Sequence, residues 1–62
     1  MNPYIKAQIE NMIQYTTTFK KACEMAALQD DKKIDKEEAK ELRQINKAIE
    51  TFQKELNKVI KP

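Results

Sequence analysis

The chain holds 62 residues, 12 of them Lys or Arg and 10 Asp or Glu, with one cysteine, no histidine and no glycine. A net charge of +2 is too small to imply a nucleic-acid partner by itself. A lone thiol without histidine also excludes an intrachain disulfide and the usual zinc sets. A chain this short buries only about 60% of the surface it exposes when unfolded, so association with a second chain is the stabiliser left to it.

The first residues, MNPYIK, contain no apolar run and read neither as a secretory signal nor as a membrane span. With a free thiol, this points to a cytoplasmic location in a producing bacterium or a phage-infected host. The abundance of Lys and Ile matches the AT-rich genomes of such sources.

A first helix is predicted over about 3–29, with Asn2 as N-cap and Pro3 at the first helical position, where its missing N–H does no harm. Apolar or small residues then recur as Ile5, Ile9, Met12, Thr16, Phe19, Cys23 and Ala26, an unbroken heptad seam. Ile13, Tyr15, Ala22 and Ala27 flank it, so the apolar face is broad, with Tyr15 expected at the edge of the core. Cys23 reads as a small core residue, since no histidine is present to activate its thiol. Three threonines in a row, Thr16 to Thr18, are unfavourable in a helix by a few tenths of a kcal/mol each. The uncharged surface of Asn11, Gln14, Thr17, Thr18 and Leu28 is a candidate face for a protein partner, because charge depletion accompanies interfaces.

A turn is predicted over about 30–34. Its acids invite a calcium reading, since Asp31, Ile34, Asp35 and Glu38 match the second half of an EF-hand loop. The first half fails: Ala27, Gln29 and Lys32 occupy the positions that need two oxygen ligands and a glycine, and Lys33 adds a second cation. A helix start explains the same residues better. Asp35 and Glu38 have the spacing of a capping box, and Ile34 with Ala39 has that of a hydrophobic staple. Neither a metal nor a cofactor is expected.

The second helix is predicted over about 35–61, with the seam Leu42, Ile45, Ile49, Phe52, Leu56 and Val59, widened by Ala39, Ala48 and Ile60. Lys40, Lys47, Lys54 and Lys61 recur at the outermost heptad position, with Arg43 and Lys58 alongside. This ridge is a candidate nucleic-acid edge, its amines about 10 Å apart. Lysines toward a helix C-terminus are also what the macrodipole favours, and Glu50–Lys54 and Glu55–Lys58 have the spacing of ion pairs.

Two helices of about 40 Å joined by a short polar turn imply an all-α antiparallel hairpin, a single domain over 1–62. The break at DDKKID disfavours the competing single long helix. Two offsets suit the turn. One sets Cys23 against Glu38 and buries a carboxylate. The other sets Thr16 against Phe52 and Cys23 against Ile45, and is expected because it buries no charge. A lone hairpin leaves the broad stripes wet, so a homodimeric four-helix bundle is the economical assembly. The core and dimer seam then comprises Ile5, Ile9, Met12 and Phe19 with Leu42, Ile45, Ile49, Phe52, Leu56 and Val59.

With no base, nucleophile or metal set, the sequence argues against an enzyme. The expected function is a small protein-interaction module: an adaptor, an antitoxin-like partner or a phage-encoded inhibitor of a host protein. An RNA- or DNA-binding hairpin dimer using the lysine ridge is the alternative. No membrane partner is expected.

Overall fold

Helix α1 runs Pro3–Asp31 and helix α2 runs Lys36–Ile60 in the computed structural model, which describes residues 1–61 without the side chains of Asp30 and Asp31. At the start of α1 the Asn2 Oδ1 accepts from the N–H groups of Tyr4, at 2.7 Å, and Ile5, at 3.4 Å. Pro3 follows at the first helical position. Two of the orphan donors of the first turn are thereby satisfied by one side chain.

α1 continues two residues past its expected end and is closed by Lys32 in the left-handed region, φ 58° and ψ 18°, whose N–H donates to the Leu28 carbonyl at 3.0 Å. Glycine normally fills such a position. With none in the chain, a lysine adopts it at a cost of about 1 kcal/mol.

The capping box forms as expected. The Asp35 carboxylate accepts from the Glu38 N–H at 2.7 Å, and the Glu38 carboxylate accepts from the Asp35 N–H at 3.2 Å. Asp35→Ala removes the carboxylate that accepts from the Glu38 N–H and should cost about 1–2 kcal/mol. A thermal melt should show a midpoint lower by roughly 5–10 °C, with Asp35→Ser recovering most of it. An unchanged midpoint for Asp35→Ala would show that the turn does not depend on this pair. At its other end α2 stops at Ile60, one residue before expected, and the Lys61 N–H closes on the Asn57 carbonyl at 2.9 Å.

The helices pack against each other as a flat antiparallel hairpin whose Cα atoms extend 46 × 17 × 8 Å. Its radius of gyration is 14.5 Å, against about 11 Å for a compact globule of this length. Among the described residues none is buried.

The contact between the helices is rotated from the expected seam. On α1 the half-buried residues are Ile9, Ile13, Thr16, Lys20, Cys23 and Ala27. Ile13, Lys20 and Ala27 thus stand where Met12, Phe19 and Ala26 were expected. On α2, Gln53 and Ile60 stand where Phe52 and Val59 were expected, and Asn46 joins Ile45. One helix cannot cover a stripe as broad as its neighbour presents. Each helix therefore docks along one edge of the other's stripe, and that edge is partly polar.

A polar cluster holds this edge. The Gln53 Nε2 donates to the Ile13 carbonyl at 3.1 Å and to the hydroxyls of Thr16 and Thr17, each at 2.9 Å. Two protons are shared among three acceptors. Both hydroxyls in turn donate to the Ile13 carbonyl, at 3.0 and 2.9 Å. Threonines unfavourable to the helix thus form the receptor for Gln53. The bonds require the offset that sets Thr16 near Phe52, and are incompatible with the one setting Cys23 against Glu38.

Candidate functional site

Because the contact uses one edge of each stripe, the hairpin has two unlike faces. Heptad positions lying about 100° apart on each helix decide which residues go where. On the front, Ile5, Ile9 and Met12 of α1 form a groove with Phe52 and Leu56 of α2, bordered by Tyr4 and Gln8. Phe19, Ile49 and Val59 continue the same stripes by helical periodicity. Phe19 and Phe52 are 50% and 43% exposed. Of the ten residues expected as one core seam, Ile5, Met12, Phe19, Phe52 and Val59 are exposed, while Ile9, Leu42, Ile45, Ile49 and Leu56 are half-buried.

The front face is uneven along its length. Toward the turn its side chains are small: Cys23, Ala26 and Ala27 enclose a hollow with Leu42 and Ile45, rimmed by Glu38 and Glu41. Toward the chain ends it is filled by isoleucine, methionine, phenylalanine and leucine. Cys23, a free thiol, is half-buried in that hollow.

The back face is polar. Thr17, Lys20, Lys21, Glu24, Asn46 and Glu50 line a shallow cleft over the helix contact. The Asn46 Oδ1 there is shut off from solvent and accepts no hydrogen bond, an unfavourable state for a polar atom.

The lysine ridge of Lys40, Lys47, Lys54 and Lys61 is exposed, as are Arg43 and Lys58. The expected Glu55–Lys58 ion pair forms at 3.2 Å; among the described residues, Glu50 and Lys54 do not close to ion-pair distance. Lys58 is therefore partly neutralised, while the ridge lies on the outer side of α2, away from the apolar front.

On α1 the residues Asn11, Gln14, Thr18 and Leu28 are exposed. Thr17 is also exposed, but its hydroxyl is engaged by Gln53, so it belongs to the hairpin contact as much as to the surface. Tyr15, expected at the core edge, is 70% exposed, and Met25 is 63% exposed. Together they mark an edge that sequence reasoning missed. The lines through residues 4, 11, 18, 25 and 8, 15, 22, 29 carry no Asp, Glu, Lys or Arg. That seven-residue recurrence is the signal for the edge, and the position of Tyr15 beside the apolar seam masks it.

The Asp35 and Glu38 carboxylates cap α2, and the side chains of Asp30 and Asp31, part of the calcium reading, lie outside the described residues. Among those described, no group of three potential metal ligands converges, and no helix is long and apolar enough to cross a membrane. The class of protein defined by this fold and face is a two-helix hairpin with one open apolar side. No protein-family model, curated protein or solved structure matches the chain, so its function is read from this geometry.

Proposed function

We propose that the chain is a non-enzymatic protein-interaction module that works as a homodimeric four-helix bundle, two hairpins joined by their apolar fronts. The surface area carries this reading. The hairpin exposes 5384 Å², whereas a compact chain of its mass exposes about 4,200 Å². The excess of about 1,200 Å² is more than the roughly 800 Å² that each partner buries in a standard interface. Domains bury their apolar stripes between two layers of secondary structure, and this chain supplies one layer. A second copy supplies the other with a stripe of matching length.

With the front covered, the charge-free edge of α1 remains available to another protein, in the manner of an adaptor, an antitoxin-like partner or an inhibitor of a host protein. Tyrosine and methionine enrichment with charge depletion is the composition of such surfaces. A cytoplasmic setting suits the free Cys23.

Light scattering tests the assembly: twice the chain mass of 7.3 kDa is expected, and a monomer at micromolar concentration would overturn the bundle. Charge reversal tests the docking edge. Thr18→Lys should leave the helical signal intact and abolish capture of the protein partner, while Lys47→Glu with Lys54→Glu leaves capture unchanged. The reverse pattern, with affinity falling steeply as salt rises, would instead establish the lysine ridge as a nucleic-acid site.

A further inference from the structure

We propose that the second copy lies turn over chain ends, on a two-fold axis crossing the hairpin between Tyr15 and Thr16 of α1 and beside Phe52 of α2. The proposal rests on the two-copy reading above and adds its direction. Two layers related by a two-fold axis and joined face to face must have that axis in the plane between them. An axis along the hairpin stacks turn on turn. An axis across it stacks each turn on the other copy's chain ends.

Shape favours the second arrangement. The turn end of the front is the hollow walled by the small side chains of Cys23, Ala26 and Ala27, and the groove at the other end is walled by the larger Ile5, Ile9 and Leu56. Turn over ends sets bulk onto hollow at both extremities. Turn on turn faces hollow with hollow, and voids of that kind are destabilising.

Spacing agrees. Reversed about its midpoint, the series Ile5, Met12, Phe19, Ala26 maps onto itself, so Met12 meets Phe19 and Ile5 meets Ala26 of the second copy. The series Ile45, Phe52, Val59 reverses about Phe52. The two midpoints lie at one height, because Gln53 is bonded to Thr16 and Thr17. A single axis therefore serves both helices.

Charge agrees as well. Glu38 and Glu41 rim the hollow, and turn on turn would gather these carboxylates from both copies around one site. Turn over ends instead places the two sets of carboxylates at opposite ends of the bundle. Like charges confined together at an interface are strongly disfavoured.

The direction has a consequence for docking. α1 lies along α1 of the second copy and α2 along α2. Both charge-free edges, each containing Tyr15 and Thr18, join into one strip on one side of the bundle. Both lysine ridges run along the opposite side. Turn on turn would instead place one of each on both sides.

Spin labels on the chain carrying Glu37→Cys and Cys23→Ala test the direction, since Glu37 is exposed and outside the capping pair. Turn over ends predicts a label separation of about 45 Å, from helical rise on either side of the axis. A separation below roughly 25 Å, set by two layers of helices, overturns it. Light scattering on the wild-type chain separates the two levels, since a monomer removes the two-copy reading itself.

Discussion

Phe52→Asp should abolish the two-copy assembly and with it most of the helical structure. Phe52 stands in the middle of the open front and is 43% exposed in the single hairpin. Truncating a buried phenylalanine costs about 3–5 kcal/mol. In a symmetric dimer the loss is taken twice, with two carboxylates brought together at the axis and no partner for either. Small domains are stable by only about 5–15 kcal/mol, so the sum approaches or exceeds what holds the bundle. Nothing in the single hairpin compensates, because none of its described residues is buried. The expected result is a scattering mass that falls to 7.3 kDa together with loss of far-ultraviolet helical signal at the same concentration. Lys47→Asp, on the exposed outer side of α2, should leave both within error. If Phe52→Asp retains full mass and helicity, the apolar front is not the stabilising surface and the proposed assembly is wrong.

Asn46→Leu should act in the opposite direction and raise stability by about 1–3 kcal/mol. The Asn46 Oδ1 is closed off from solvent without a donor, and removing such an atom recovers its desolvation penalty. The leucine also adds apolar area against the half-buried Lys20 stem and Cys23 on the facing edge. For a chain of this size a gain of that magnitude raises the melting midpoint by roughly 5–15 °C. The gain should come with a loss of specificity. A polar residue on a helix contact fixes register and partner number at a cost in stability, and a leucine here extends apolar surface toward the back face. Light scattering should therefore show a broadened mass distribution beside the higher midpoint. A lower midpoint would show that Asn46 has a partner in solution and contributes to the hairpin through it.

The two effects differ because the hairpin uses its faces unequally. The front holds most of the large apolar side chains and needs a cover. The contact between the helices is partly polar and sets offset, through the bonds from Gln53 to Ile13, Thr16 and Thr17. Substitutions in front therefore control whether chains associate, and substitutions along the contact control how the helices align.

Features that depend on neighbours along the chain are legible in the sequence. Asn2 and Pro3 start α1, and Asp35 with Glu38 starts α2, because a cap is satisfied within three residues. The absence of internal glycine and proline and the two heptad series determine two long helices and which stripe of each is apolar. Even the offset follows, since burying Glu38 beside Cys23 is unfavourable on desolvation alone. The end of α1 is harder to place, because Lys32 adopts a left-handed conformation that no glycine announces.

What the tertiary structure alone decides is which part of each stripe meets the other helix. A heptad pattern defines an apolar face to within a turn's width, and Met12 and Ile13, or Phe52 and Gln53, differ by only about 100° around the axis. Choosing between them requires knowing that Gln53 finds Thr16 and Thr17 more than 30 residues away. That pairing turns Phe19 and Phe52 outward, moves Tyr15 from the expected core edge to the surface, and leaves the apolar front open for a second layer. Local chemistry determines the helices and their caps; the rotation of one helix against the other, and hence the surface offered to partners, is settled only by hydrogen bonds distant in sequence.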